Sequence, residues 1–155
     1  NRFLATQAGR AADANQGKLS LPKHQLHAHV RASPHGAAGA CLYVFVLPKH
    51  GAVWTALSAA SLKVRIEEPA RHASYAFETK TAQFHICTRC GVVPLVSSEI
   101  DGRLYAVVNA NTFEGFDASQ LQHAPVSFDG ESEQVRLARR TRNWIANVEF
   151  SEGKG

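Results

Sequence analysis

The sequence predicts a mainly β domain of antiparallel sheets followed by a C-terminal helix. Three observations predict it. Short runs rich in Val, Ile and aromatic residues recur between Leu26 and Asn109. Turn-forming residues separate them at Pro48 and in the stretches 49–51, 67–70 and 100–102. After residue 130 the apolar spacing becomes helical, with acidic residues early and arginines late, as the helix dipole prefers.

Residues 1–20 are rich in Ala, Gly, Gln and Asn without a sustained apolar period, and read as an N-terminal extension. Residues 21–130 form the domain. Its expected strands are 26–32 (LHAHVRA), 41–47 (CLYVFVL), 62–66 (LKVRI), 74–77 (SYAF), 82–86 (AQFHI), 92–96 (VVPLV) and 104–109 (LYAVVN). LKVRI alternates with period two, the mark of a strand with one buried face. Pro94 has no N–H to give to a ladder, so its strand is expected at an edge or a bulge. Residues 131–155 form the helix and tail. Within 131–148, Val135, Ala138 and Ile145 recur near helical spacing, and Asp129 or Ser132 would cap the start.

With 155 residues, the chain is long enough for one domain with a real core. Apolar residues make up 45% and charged residues 19%, a globular composition. Seventeen basic against thirteen acidic residues give +4 and a pI near 9.2, too mild an excess to indicate nucleic acid. No apolar run approaches the ~20 residues of a membrane helix, and the first residues lack the apolar core of a secretory signal. Three unevenly placed cysteines do not make a disulfide framework, so a reducing, cytoplasmic setting is expected.

The chemistry concentrates in QFHICTRCG (83–91). In a Cys-x-x-Cys-Gly turn both sulfurs fall on one side, backbone N–H groups point at them, and glycine accepts the backbone angles required. Cys87 and Cys90 would supply two ligands of a tetrahedral zinc site. His27 and His29 in QLHAHVR, alternate residues of one expected strand, would supply the other two, 60 residues earlier. The simpler reading is a plain buried thiol pair; a redox dithiol fits less well without a βαβ context.

The stretch TKTAQFHICTRCGVVPLVSSEIDGRLYAVVNANTFEG (79–115) resembles the second half of the glutathione-dependent formaldehyde-activating enzyme family, which includes the centromere protein V domain. Phe84, Cys87, Cys90, Gly91 and VVNANTFEG carry the resemblance, and residues 49–77 look like the family's middle section. The resemblance implies a β-tent, antiparallel sheets joined by one structural zinc, with His27 and His29 standing where members carry an early Cys-x-Cys. It also implies carbon–sulfur lyase chemistry on a small thiol such as glutathione. The cysteine triad of the family's second, labile zinc is absent: the gapless alignment puts Leu42, Val44 and Leu47 there, with Cys41 one position off. A competing alignment sets His27, His29 and Ala32 against that triad and needs an insertion of about a dozen residues. The expectation is one structural metal and a degenerate catalytic site.

Two alternatives stay open. One is an active thiol-adduct lyase using Cys41 and His50. The other is a module that binds an anionic partner through Arg136, Arg139, Arg140 and Arg142, whose simpler reading is a solvated helix face. Trp54, Phe77, Phe84, Tyr105 and Phe113 are expected in the core rather than around a pocket.

Overall fold

The computed structural model describes residues 18–20, 26–31, 43–47, 52–76, 78–112, 122–123, 128 and 130–153, with side chains from Ala52 onward except Ala56, 122 and 123. The chain is mainly β. In order it forms β1 (Lys18–Ser20), β2 (Leu26–Arg31), β3 (Tyr43–Leu47), β4 (Ala52–Ala56), β5 (Ser61–Ile66), a short 3-10 turn at Pro69–Arg71 and β6 (His72–Tyr75). Next come β7 (Gln83–Cys87), β8 (Leu95–Ile100), β9 (Arg103–Asn109), a second 3-10 turn at Ala110–Thr112, β10 (Gln122–His123), helix α1 (Glu133–Asn143) and β11 (Asn147–Glu152).

The strands build a smaller sheet, β1-β2-β5-β11, and a larger one, β10-β3-β4-β9-β8-β7-β6. Alternation on the central strands decides the layering. On β9, Ala106 and Val108 join Leu62, Val64, Ile66, Cys87, Leu95 and Ile145 in a core between the two sheets. Tyr105 and Val107 face the other way and pack with Trp54, Val96, Ile100 and Trp144, against which Leu137 of α1 rests. The larger sheet is thus covered on both faces, by a sheet and by a helix.

Several boundaries differ from expectation for identifiable reasons. Pro94 precedes β8 instead of lying in it, and β8 is an inner strand between β7 and β9. Its missing N–H is therefore no obstacle, and the Pro94 carbonyl accepts from Asn109 N–H at 2.8 Å. The helix stops at Asn143; Ile145 leaves it to form a bridge with Ala106, and 147–152 continue as a strand. That strand runs parallel to β5, and β10 parallel to β3, so the sheets are mixed. Ser132 caps α1, its hydroxyl accepting from Val135 N–H; Asp129 lies outside the described residues. No helix among the described residues is long and apolar enough to cross a membrane.

Candidate metal centre

β7 delivers Cys87 to the edge of the inter-sheet core, and the chain turns back through Thr88–Cys90. Gly91 N–H donates to the Cys87 carbonyl (2.8 Å), Cys87 N–H to the Val92 carbonyl (3.0 Å), and Thr88 N–H to the Arg71 carbonyl (2.9 Å). Gly91 sits at φ +75° with open space where a Cβ would project, so the turn needs glycine for its backbone angle and not for room. Cys87 is buried and Cys90 exposed, with their thiols in hydrogen-bond contact.

Burial opposes charge on the Cys87 sulfur. The backbone N–H groups of Cys90 and Arg89, the Cys90 thiol and the charge of Arg71 together outweigh it, and the thiol ionises more readily than an ordinary one. A sulfur whose charged form is favoured in this way suits a thiolate ligand turn.

His27 and His29 lie on β2 of the smaller sheet, and their side chains lie outside the described residues. The backbone register pairs His27 with Arg65 and His29 with Lys63, the exposed positions of β5. The positions paired with Leu62, Val64 and Ile66, which share a core with Cys87, are Val30, Ala28 and Leu26. The register therefore lends the four-residue clasp no support, and the case for a metal stands on the thiol turn. Among the described residues, no three His, Cys, Asp or Glu side chains gather closely enough to hold an ion. Cys41 and His50 lie outside the described residues, as do Leu42, Phe77 and Phe113. Val44 and Leu47 are ordinary ladder positions of β3, paired with Thr55 and Ala52.

A polar chain that the sequence did not reveal runs beside the turn. His72 stands opposite Cys87 in the β6–β7 register. A His72 Nε2···His85 Nδ1 bond (2.9 Å) and a His85 Nε2···Ser97 Oγ bond (2.8 Å) link three strands. The two imidazoles stack at 5.2 Å, and Phe150 of the smaller sheet tilts over His85 at the same separation. Burial, then the neighbouring His72, pushes His85 down to about 4; burial also lowers His72, against the pull of Glu152. Period two along QFHIC places His85 on the face of Cys87, but nothing in the sequence says that 72–75 pairs alongside.

A cavity of about 370 Å³ opens on the other side of the turn, walled by Ala52, Trp54, Tyr75, Phe84, Cys90, Gly91, Val92, Val93, Asn109, Asn111 and Thr112. Asn109 holds its rim together. Its Oδ1 accepts from Val53 N–H and Asn111 N–H (both 3.2 Å), and its Nδ2 donates to the Val93 carbonyl (3.2 Å). Trp54 and Tyr105 are buried as expected, yet Trp54 and Phe84 also form cavity wall.

Of the four arginines of α1, Arg142 is exposed, while Arg136, Arg139 and Arg140 are engaged within the molecule. Arg139 makes a forked pair with Glu131 (2.8 and 3.0 Å) and lies over the Phe128 ring at 3.8 Å. Arg136 donates to the Glu131 carbonyl (2.9 Å). Arg140 is buried, bonded to the Thr81 carbonyl and hydroxyl and to Ser98 Oγ (2.8, 2.9 and 3.2 Å), and burial lowers its pKa to about 10.

Comparison with protein-family models, with curated proteins and with solved structures found no match to this chain.

Proposed function

We propose that this chain is a zinc-binding β domain of the formaldehyde-activating type, in which Cys87 and Cys90 hold one structural ion and the catalytic site is degenerate. The observation that carries the reading is the tight Cys87–Cys90 turn, closed by the Gly91 N–H on the Cys87 carbonyl at 2.8 Å with Gly91 in the left-handed region. Two thiolates fit zinc, and a saturated site would brace the β7–β8 connection against the inter-sheet core. The sequence offers His27 and His29 as the remaining donors. Thiolates kept free for a metal suit a reducing compartment such as the cytoplasm.

Metal content per chain tests the reading. One zinc is expected in the native chain and none in Cys87→Ser or Cys90→Ser. Cobalt substitution should give sulfur-to-metal charge-transfer bands and the intense visible bands of a tetrahedral site. A chain purified under reducing conditions that takes up neither metal rules the reading out. The double variant His27→Ala, His29→Ala then decides the imidazole half: loss of the ion supports the cross-sheet clasp, and retention assigns the two remaining ligands elsewhere. Glutathione with formaldehyde should show no metal-dependent turnover; turnover abolished by Cys41→Ser or His50→Ala would instead favour an active lyase. Engagement of Arg136, Arg139 and Arg140 within the molecule disfavours α1 as a docking site for nucleic acid or another anionic partner.

A further inference from the structure

A structural metal leaves the cavity beside Cys90 unexplained. Cys90 is exposed and forms part of its wall, while Cys87 lies behind, buried and in contact with it. Across the space, Tyr75, at 37% exposure, stacks on Phe84 at 5.3 Å, and Trp54 meets Phe84 edge-on at 6.5 Å. None of the described wall residues carries a formal charge. About 370 Å³ is within the range of small-ligand sites.

We infer that the metal-free cysteine pair and this cavity form a thiol–disulfide exchange site for a small, uncharged disulfide with an aromatic arm. The inference goes beyond the zinc reading, since it uses the two sulfurs when no ion holds them. Cys90, as thiolate, attacks one sulfur of the incoming disulfide; that S–S bond breaks, and one half departs as a thiolate that takes up a proton. The other half remains on Cys90 as a mixed disulfide, its arm against Tyr75 and Phe84. Cys87, as thiolate, then attacks the Cys90 sulfur, forming the Cys87–Cys90 bond and expelling the second half, which is protonated in turn. The pair has lost two electrons and two protons, and the incoming disulfide has gained both. Accessibility assigns the steps: the exposed sulfur meets the reagent, and the buried one resolves the adduct.

The test uses the full chain carrying Cys41→Ser, stripped of metal, with dipyridyl disulfide as the uncharged aromatic probe and the dianionic nitrobenzoate disulfide as its charged counterpart. Two equivalents of pyridinethione and a product lighter by two hydrogens are expected. The rate preference for the uncharged probe should exceed that of a small free thiol roughly tenfold, and Tyr75→Ala should remove most of the excess. Adding Cys87→Ser should stop the reaction at one equivalent, and adding Cys90→Ser should leave only slow reaction. The inference fails if the intact pair stops at a stable mixed disulfide, if Cys90→Ser reacts as fast as the intact pair, or if the two probes keep the small-thiol ratio. Metal content is measured separately, so a chain that exchanges disulfides without binding zinc keeps this inference and loses the other.

Discussion

At the scale of single residues, Gly91 and His85 set the terms around the turn. Any L-residue at Gly91 meets backbone strain at φ +75° and nothing else, because the space beyond is open. Gly91→Ala should cost about 1 kcal/mol in denaturant unfolding. His85 is held neutral, pushed down to about 4 by burial and by His72, whereas the unfolded chain titrates near 6.5. Below that value the unfolded state binds the extra proton, so the contribution of His85 is fully present above pH 6.5. It falls by up to about 1.4 kcal/mol per pH unit as the pH drops toward 4. His85→Gln retains a donor and an acceptor without the titration. Its unfolding free energy should be flatter than the native chain's between those two pH values, and an unchanged slope would show that other groups set it. The Cys87–Cys90 turn was legible from letters alone, because its geometry depends on four consecutive residues and a glycine. The His72–His85–Ser97 chain was not, because it depends on which strands become neighbours.

Among the elements, α1 shows how a pattern read correctly as helical can be misread as to its faces. Its acidic start, its Ser132 cap and its late arginines were all visible in sequence. The burial of Arg140 was not, because its partners, Thr81 and Ser98, belong to a loop and a strand more than 40 residues away. Arg140→Ala should destabilise the fold by about 1–3 kcal/mol, since it strips hydrogen bonds from a buried site, while Arg140→Lys should recover part of the loss. Equilibrium unfolding of the two variants measures both. The supposed helical pair Val135 and Ile145 separates likewise: Val135 is 54% exposed and Ile145 fully enclosed in a bridge to Ala106. Ile145→Ala should cost about 2–5 kcal/mol and Val135→Ala under about 0.5 kcal/mol, a contrast that a continuous helix through 148 would not produce. The Asp101–Gly102 hairpin stood out in sequence because both residues adopt positive φ, as a two-residue turn between β8 and β9 demands.

For the whole molecule, the fold class followed from composition and period, but the order of strands did not. β4 was missed because AVWTA runs directly on from the turn residues 49–51, and β11 because it follows a helix without a strong break. Parallel pairing of β11 with β5 joins residues more than 80 positions apart, a contact that no local signal encodes. β5 is thereby enclosed by β2 on one side and β11 on the other. Removing residues 147–155 should leave one flank of β5 with unpaired N–H and C=O groups. The truncated chain is expected to self-associate at concentrations where the full chain remains monodisperse in light scattering.

The place of that last strand also bears on how the protein is made. Eighty residues separate Ile66 from Asn147, so a ribosome adding about 5–20 residues per second needs roughly 4–16 s between releasing the one and releasing the other. Throughout that interval the β5 flank that β11 later covers stays open to pairing with another chain.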